Sequence, residues 1–311
     1  MSGEMGIDRR QLMVASATGV AGAASFTGAA QAQGLAPASI GSFLHMPPAA
    51  WPAAEGMAEI PGTKLYYWDT GGKGPPVVLM HPASGSAMIW AYQQAAFASA
   101  GYRVIAYSRR GYAKSQSYDS ANPGSGSLDL LAFAQALKLP RFHLVASAAG
   151  GSISMDFALS NPDRLLSLTI SSNSAGVRDG DIFRAAERIR PAGWDQMPVA
   201  FRELGPSYRA ANLEGAKLWL DLEHHALTGT QYRQTPVNRI TDASLKEVKP
   251  PVLLIAGAAD LITPPAITRL LQAAIPNCEM AIADETGHSV YWERPDLFNR
   301  AVLDFLGRHK G

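Results

Sequence analysis

The chain has 311 residues, of which 47% are hydrophobic and 17% are charged, and its formal net charge is +1 at pH 7. This composition is typical of a globular protein and offers no basic surface for nucleic acid or an anionic membrane. The single cysteine, Cys278, excludes an intrachain disulfide, and no Cys/His cluster indicates a metal. We therefore expect a small-molecule partner and no cofactor, while the oligomeric state cannot be read from the sequence.

The first 32 residues have the pattern of an export signal. A twin-arginine pair lies in Asp8–Met13, a mildly apolar stretch rich in Ala and Gly follows, and Ala30–Ala32 is a small-x-small cleavage site. The stretch is interrupted too often to form a transmembrane helix, which needs ~20 firmly apolar residues. The pattern predicts a bacterial periplasmic or secreted protein without stable membrane insertion, whose mature part begins near Gln33.

The next segments predict a linker and then an α/β core. Residues 33–55 are rich in alanine and proline, which indicates a linker or an arm laid over the core. A β-hairpin follows, with strands at Met57–Ile60 and Lys64–Trp68. Short apolar runs typical of buried parallel strands then alternate with helical stretches. The runs are at 76–80, 102–107, 142–146, 166–170, 252–256 and 279–283, and the helical stretches include 128–137 and 153–159. We predict an α/β fold with a doubly wound, mostly parallel sheet, formed by residues 56–171 and 250–311.

Residues 172–249 interrupt this alternation with helical periodicity and no convincing strand. Ligands of open α/β sheets bind outside the carboxyl ends of the strands, so an insertion at that edge is placed to be a helical lid, or cap. Trp194 and Trp219 in this segment are candidate substrate-binding residues. His224 and His225 lack a second histidine pair with metal-ligand spacing, and a solvated helix face is the better interpretation.

The most informative motif is the junction at Phe142–Gly151, where a buried strand, a turn of small residues and a helix start follow one another. This is the layout of a nucleophile elbow, in which a strained turn raises one side chain above the sheet. In the register set by Gly150, the nucleophile position is Ala148, whose methyl group cannot attack a carbonyl. Moving the frame to Ser147 would place Val145 where the turn needs a small residue. The alternative is an ordinary tight strand-to-helix connection, against which the remaining motifs argue.

An acid and a base follow this turn in chain order. Asp260 comes after the buried strand at 252–256, and His288 lies in a loop ahead of the last helical stretch. A histidine can take the proton of a nucleophile, and a carboxylate fixes its tautomer and stabilises its charged form. Each residue alone would be an ordinary loop side chain. Their order after the elbow makes Asp260 and His288 the candidate catalytic acid and base.

The turn at His81–Gly85 is the candidate for the second half of an oxyanion hole. Pro82 has no N–H to donate, so we expect the donors to be the backbone amides of Ala83 and Ala149. For His81 we favour a role in orienting the turn. The candidate substrate-binding residues on this side are His81, Ser84, Met88 and Trp90.

Together these motifs resemble the α/β-hydrolase superfamily over nearly the whole mature chain. Residues 104–115 are similar to the family's D-x-R-G-x-G-x-S stretch, with Ser108 and Ala113 at the aspartate and second glycine, and residues 291–295 are similar to its helix entry after the histidine. The resemblance implies a Ser-His-Asp hydrolase of the carboxylic ester hydrolase type, without a cofactor. The lipophilic insertion favours a medium-sized, largely apolar ester or lactone as substrate.

Three hypotheses explain Ala148. In the one we favour, alanine has been introduced in place of serine, so that the chain is an inactive variant that traps substrate. In the second, the alanine is natural and the protein is a ligand-binding module on the hydrolase fold. In the third, Asp260 and His288 perform cofactor-free chemistry without a covalent intermediate. A carbon–carbon bond hydrolase would use the same residues as an esterase or lactonase.

Overall fold

The computed structural model describes residues 33–34, 39–116, 121–228 and 233–310, and the predicted export signal lies outside them. Nine strands in the described residues form one sheet, in the spatial order β1-β9-β8-β7-β6-β4-β5-β3-β2. The strands are β1 (Gln33–Gly34), β2 (Ala54–Ile60), β3 (Thr63–Asp69), β4 (Pro76–Met80), β5 (Arg103–Tyr107), β6 (Phe142–Ser147), β7 (Leu165–Ser171), β8 (Val252–Gly257) and β9 (Cys278–Ala283).

The sheet is mostly parallel, as the sequence predicts. The pairs from β5 through β4, β6, β7 and β8 to β9 are all parallel, and of the nine described strands only β2–β3 and β3–β5 pair in antiparallel fashion. Every residue of the central strands β4, β6, β7 and β8 is buried. A strand that is covered on both faces has a continuous run of apolar residues in the sequence, and the apolar runs therefore predict these strands.

Ten α-helices surround the sheet in the described part of the chain. They are α1 (Ala91–Ser99), α2 (Gly126–Ala136), α3 (Ala149–Ser160), α4 (Asp181–Glu187), α5 (Val199–Glu203), α6 (Pro206–Ala211), α7 (Leu213–His224), α8 (Pro265–Ala274), α9 (Val290–Glu293) and α10 (Pro295–Arg308). None of these described helices has the length and apolarity needed to cross a bilayer.

Helices cover both faces of the sheet. Along β4, Val78 and Met80 join one apolar cluster with α2, α3 and α8, whereas Val77 and Leu79 join a second cluster with α1, α9 and α10. This alternation follows from the two-residue period of a strand. The result is the doubly wound α/β architecture that the sequence predicts.

The segment between β7 and β8 contains α4 to α7, and no strand occurs in its described residues. Leu204, Tyr208 and Trp219 from this segment are buried in the second apolar cluster, against residues of the sheet. The amide of Asn212 donates to the carbonyls of Phe43 and His45, which lie in the chain before β2. The insertion and the N-terminal arm are therefore packed against each other.

Candidate active site

Strand β6 and helix α3 are joined by one residue, Ala148, whose backbone has φ 46° and ψ −122°. A side chain in this region of backbone space is strained, and such strain persists only where the surroundings hold it. The surroundings here are two backbone hydrogen bonds. Ala148 N donates to Ser171 O at 2.9 Å, and Gly151 N donates to Ala148 O at 2.8 Å. The geometry is that of an elbow which lifts position 148 above the end of the sheet.

Close packing explains the small residues around this elbow. A Cβ atom on Gly150 would lie 2.5 Å from Met80 O and 2.9 Å from His81 O, so the helix could not approach β4 with any larger residue. The hydroxyl of Ser147 is buried in the flank of the turn and has no hydrogen-bond partner among the described residues. Position 148 is therefore the one that the turn presents.

Asp260 and His288 lie together at the carboxyl ends of β8 and β9. The Nδ1 atom of His288 is 2.9 Å from Oδ2 and 3.0 Å from Oδ1 of Asp260. Asp260 Oδ1 also accepts from the amides of Ile262 and Thr263, at 2.8 and 2.9 Å, which fixes the carboxylate in its loop. Because a carboxylate only accepts hydrogen bonds, Nδ1 carries the proton and Nε2 is left as the basic nitrogen.

The electrostatics of this pair favour a charged histidine. Burial lowers the pKa of His288, but the charge and hydrogen bond of Asp260, with Glu203 and Glu293 nearby, outweigh it and leave the pKa raised. Burial raises the pKa of Asp260, and His288 and two backbone amides reverse this, so that the net shift is downward. The pair is thus suited to receive a proton at Nε2.

Two further glutamates support His288, and sequence analysis did not identify either as part of the site. The amides of His288 and Ser289 donate to the backbone carbonyl of Glu203 at 2.9 and 3.1 Å. The Glu203 carboxylate accepts from the hydroxyl of Ser84, and burial raises its pKa. Glu293 accepts from the amides of Gly205, Gly287 and Ser289, and burial raises its pKa to about 7. The loop of His288 is thereby tied to the insertion.

Ala83 and Ala149, whose amides are the predicted oxyanion donors, line a common cavity of about 280 Å³, which meets the elbow at Ala149, whereas Ala148, Asp260 and His288 are not among its lining residues. Neither Ala83 N nor Ala149 N donates a hydrogen bond to another described atom of the protein. Ala149 is also the first residue of α3, where the helix leaves its amides without internal partners. Two unpaired amides at one cavity wall are what stabilisation of an oxyanion requires.

His81 is fully buried behind this turn and is neutral. Burial, and then the charge of Arg109, hold the pKa of His81 well below its usual range. Its Nδ1 donates to Pro82 O at 2.7 Å, and its Nε2 accepts from Arg109 N at 3.0 Å. His81 therefore fastens the turn to the segment that follows β5.

None of the six residues predicted to bind substrate lines this cavity. Trp90 and Trp219 are fully buried in the second apolar cluster, and Trp194 is also buried. Met88 and Trp90 line a separate pocket under the N-terminal arm, and Ser84 faces Glu203. The cavity is lined instead by the segment after β5, the first turns of α2 and α3, and the loops at 176–178 and 233–240.

The described residues contain no group of three or more His, Cys, Asp or Glu side chains arranged to hold a metal ion. His225 is exposed on the surface of the insertion, where its Nδ1 donates to Asp221 O at 2.8 Å.

Comparison with known proteins gives similarities over most of the chain. One relative, a 2-hydroxy-6-oxononadienedioate/2-hydroxy-6-oxononatrienedioate hydrolase of Paraburkholderia phymatum, is 29% identical over an alignment 285 residues long, which covers 82% of this chain and 93% of the relative. Among solved structures, Est816, described as an N-acyl homoserine lactone degrading enzyme, has a TM-score of 0.66 and 25% identity over 80% of this chain and 100% of its own. The enol-lactonase from Burkholderia xenovorans LB400 has a TM-score of 0.65 at 24% identity, over 81% of this chain and 100% of its own, and shows the likeness of fold.

The sequence profile described as the alpha/beta hydrolase family matches residues 77–301. This range includes the elbow at Ala148, Asp260 and His288, which the fold brings to the carboxyl edge of one sheet. Profile, relatives and sheet topology agree, and the chain belongs to the alpha/beta hydrolase family.

Proposed function

We propose that the chain is a hydrolase of Ser-His-Asp type in which Ala148 stands at the position of the serine. The observation that carries the proposal is the His288–Asp260 pair, whose Nδ1-to-carboxylate distances of 2.9 and 3.0 Å leave Nε2 as the free base. Such a pair serves to take a proton from a nucleophile and return it to a leaving group. The elbow at residue 148 supplies the site for that nucleophile.

With serine at position 148, the reaction is acyl transfer. Nε2 of His288 accepts the hydroxyl proton as the oxygen attacks the substrate carbonyl, and the amides of Ala83 and Ala149 stabilise the oxyanion. His288 then returns the proton to the leaving group, and water, activated by the same base, releases the acid from the acyl-enzyme. Asp260 keeps the imidazole in its reactive tautomer throughout.

As it stands, the chain binds substrate without hydrolysing it at an enzymatic rate. Removing the nucleophile of such a triad costs on the order of a millionfold in rate, and the oxyanion hole leaves only residual catalysis. The substrate we propose is a medium-sized ester or lactone, for which a cavity of about 280 Å³ is suited. A lactone is supported by Est816, which is described as a lactone-degrading enzyme, and an oxo-dioate by the name of the P. phymatum relative.

The experiment is the hydrolysis of a panel of esters and lactones by the chain as given and by Ala148→Ser. We expect Ala148→Ser to raise the rate by several orders of magnitude, and Asp260→Asn or His288→Ala in that background to abolish the gain. If Ala148→Ser hydrolyses no member of the panel, the hydrolase proposal fails. The cavity would then be the binding site of a non-catalytic member of the family.

A further inference from the structure

The cavity that Ala83 and Ala149 line has a strongly cationic wall. Among the described residues its lining includes four arginines and one carboxylate, which are contributed by four separate parts of the chain. The charged residues are Arg109 and Arg110 after β5, Arg178 after β7, Arg233 ahead of β8, and Asp156 on α3. Which of these charges are available to a ligand depends on what each already contacts.

Two of the five charged groups are fully occupied within the protein. Arg110 is buried and donates from Nε and Nη2 to the two oxygens of Asp129, at 2.7 Å each, so its charge is neutralised. Asp156 accepts from the amides of Val237 and Asn238, at 2.8 Å each, and so holds the loop ahead of β8. Both pairs shape the cavity rather than serve a ligand.

The other three arginines have no carboxylate partner among the described residues. Arg109 contacts only neutral groups: its Nε donates to His81 Nε2 at 3.3 Å, its Nη2 donates to Pro82 O at 3.0 Å, and its guanidinium lies 4.5 Å from the ring centre of Tyr112. Within the described part of the chain, the exposed side chains of Arg178 and Arg233 make neither a hydrogen bond nor an ion pair. Within the described part of the chain, the cavity is therefore lined by three arginines without an ion pair and by one carboxylate that bonds only to amides, which leaves the wall net positive.

Folding alone gives no reason for this arrangement. Like charges around one partly enclosed space repel each other, and in the described residues the cavity wall offers these three arginines only the carboxylate of Asp156, with which none of them forms an ion pair. His81, which is neutral and fully buried, accepts hydrogen bonds from the backbone amide and Nε of Arg109. Because burying a polar ring is unfavourable, this contact indicates that the position of the Arg109 guanidinium matters. Guanidinium groups present a planar fork that matches both oxygens of a carboxylate.

We propose that the substrate carries a carboxylate remote from its reacting carbonyl, and that Arg109, Arg178 and Arg233 bind this carboxylate. This proposal rests on the proposed hydrolytic function. In this arrangement the reacting carbonyl is placed at the amides of Ala83 and Ala149, which also line the cavity. The side chains of Ile153 and Ile240 provide apolar contacts for the carbons between the two groups. The substrate class is thus a monoester of a dicarboxylic acid or a carboxylate-bearing lactone, which is more polar than the largely apolar ester or lactone predicted from the sequence.

The test compares charged and neutral substrates of equal length. In Ala148→Ser, the para-nitrophenyl monoesters of glutaric, adipic and pimelic acid are compared with the same esters capped by methyl at the far carboxylate. We expect a higher kcat/KM for the charged member at the best chain length. The double substitution Arg178→Gln with Arg233→Gln should lower the charged-to-neutral ratio about tenfold, since it removes two exposed ion pairs with the substrate carboxylate. Raising the salt to about 1 M should lower the ratio as well.

Arg269→Gln is the matched control, because it removes an exposed arginine on α8 that does not line the cavity. It should leave the ratio unchanged. Equal kcat/KM for charged and neutral esters, or a ratio that falls equally in Arg269→Gln, would overturn the carboxylate site while leaving the hydrolase intact.

A binding measurement separates this proposal from the proposed function. Monomethyl adipate and dimethyl adipate are titrated calorimetrically into the chain with Ala148, which needs no catalysis. We expect tighter binding of the monoester and loss of that preference in the double arginine variant. If Ala148→Ser proves inactive, this titration still decides the matter. Equal affinity for the two esters, or no binding of either, refutes the carboxylate site.

Discussion

The packing of Gly150 predicts that the substitution Gly150→Ala destabilises the protein, although alanine is the better helix former. In an open helix interior the exchange gains about 1 kcal/mol. Here the added Cβ would lie 2.5 Å from Met80 O, about 1 Å inside the ~3.5 Å optimum for non-bonded heavy atoms. The nearest atoms are largely backbone, so α3 must move away from β4. Overpacking of this kind costs about 1–3 kcal/mol and sometimes more, and we expect a net loss of about 2 kcal/mol.

The assay is equilibrium urea unfolding with Gly307→Ala as the matched control. Gly307 lies near the end of α10, and an added Cβ there meets no atom within 4 Å, so that alanine should stabilise the protein. A loss of about 2 kcal/mol at Gly150 corresponds to a fall of roughly 3–4 °C in Tm for a chain of this length. In the Ala148→Ser background, Gly150→Ala should also lower kcat, because the shift moves the amide of Ala149. Equal stability of the two alanine variants would refute the close approach at the elbow.

Two more predictions concern the groups around the histidine. In Ala148→Ser, kcat/KM should rise with pH through a midpoint above 6.5, because the raised pKa of His288 keeps the base protonated at lower pH. Adding Glu203→Gln should move this midpoint to lower pH. A midpoint below 6.5 in Ala148→Ser itself would contradict the pairing of His288 with Asp260. Glu293→Ala leaves three backbone amides without their acceptor and should cost about 3 kcal/mol in urea unfolding at pH 5. Folding raises the pKa of Glu293 to about 7, so its stabilising contribution is fully present below pH 4.5 and is lost as the pH rises through 7. The difference in free energy of unfolding between Glu293→Ala and the chain with Glu293 should therefore narrow as the pH rises. A difference that does not change with pH would argue against a buried, titrating Glu293.

The sheet and the acid–base pair could be predicted from the sequence because their signals are local. Strand β4 runs from Pro76 to Met80 in the structure, with the bounds that its apolar run indicates, since a strand buried on both faces leaves no polar position. The elbow is visible because α3 approaches β4 so closely that only glycine fits at position 150. Asp260 and His288 follow their strands in the order that brings them to one edge of a parallel sheet.

The cavity wall and the supports of the histidine could not be predicted, because tertiary contacts alone bring them together. Arg178 and Arg233 lie in loops 55 positions apart, and no spacing rule links them to Arg109. Glu203 ends a short helix of the insertion and acts partly through its backbone carbonyl, which no sequence motif reveals. For Trp219, the sequence indicates an apolar side chain on a helix but not what it contacts. In the structure this side chain packs into the core and does not line the cavity.

The account rests on position 148 as the nucleophile site, and active-site labelling tests this most directly. A fluorophosphonate probe is incubated with the chain as given, with Ala148→Ser, and with Ala148→Ser carrying His288→Ala, and the labelled peptide is identified by mass spectrometry. We predict stoichiometric labelling of Ala148→Ser at residue 148, no labelling of the parent, and strongly slowed labelling without His288. Labelling of Ser147 in the parent chain, or no labelling of Ala148→Ser, would contradict the account.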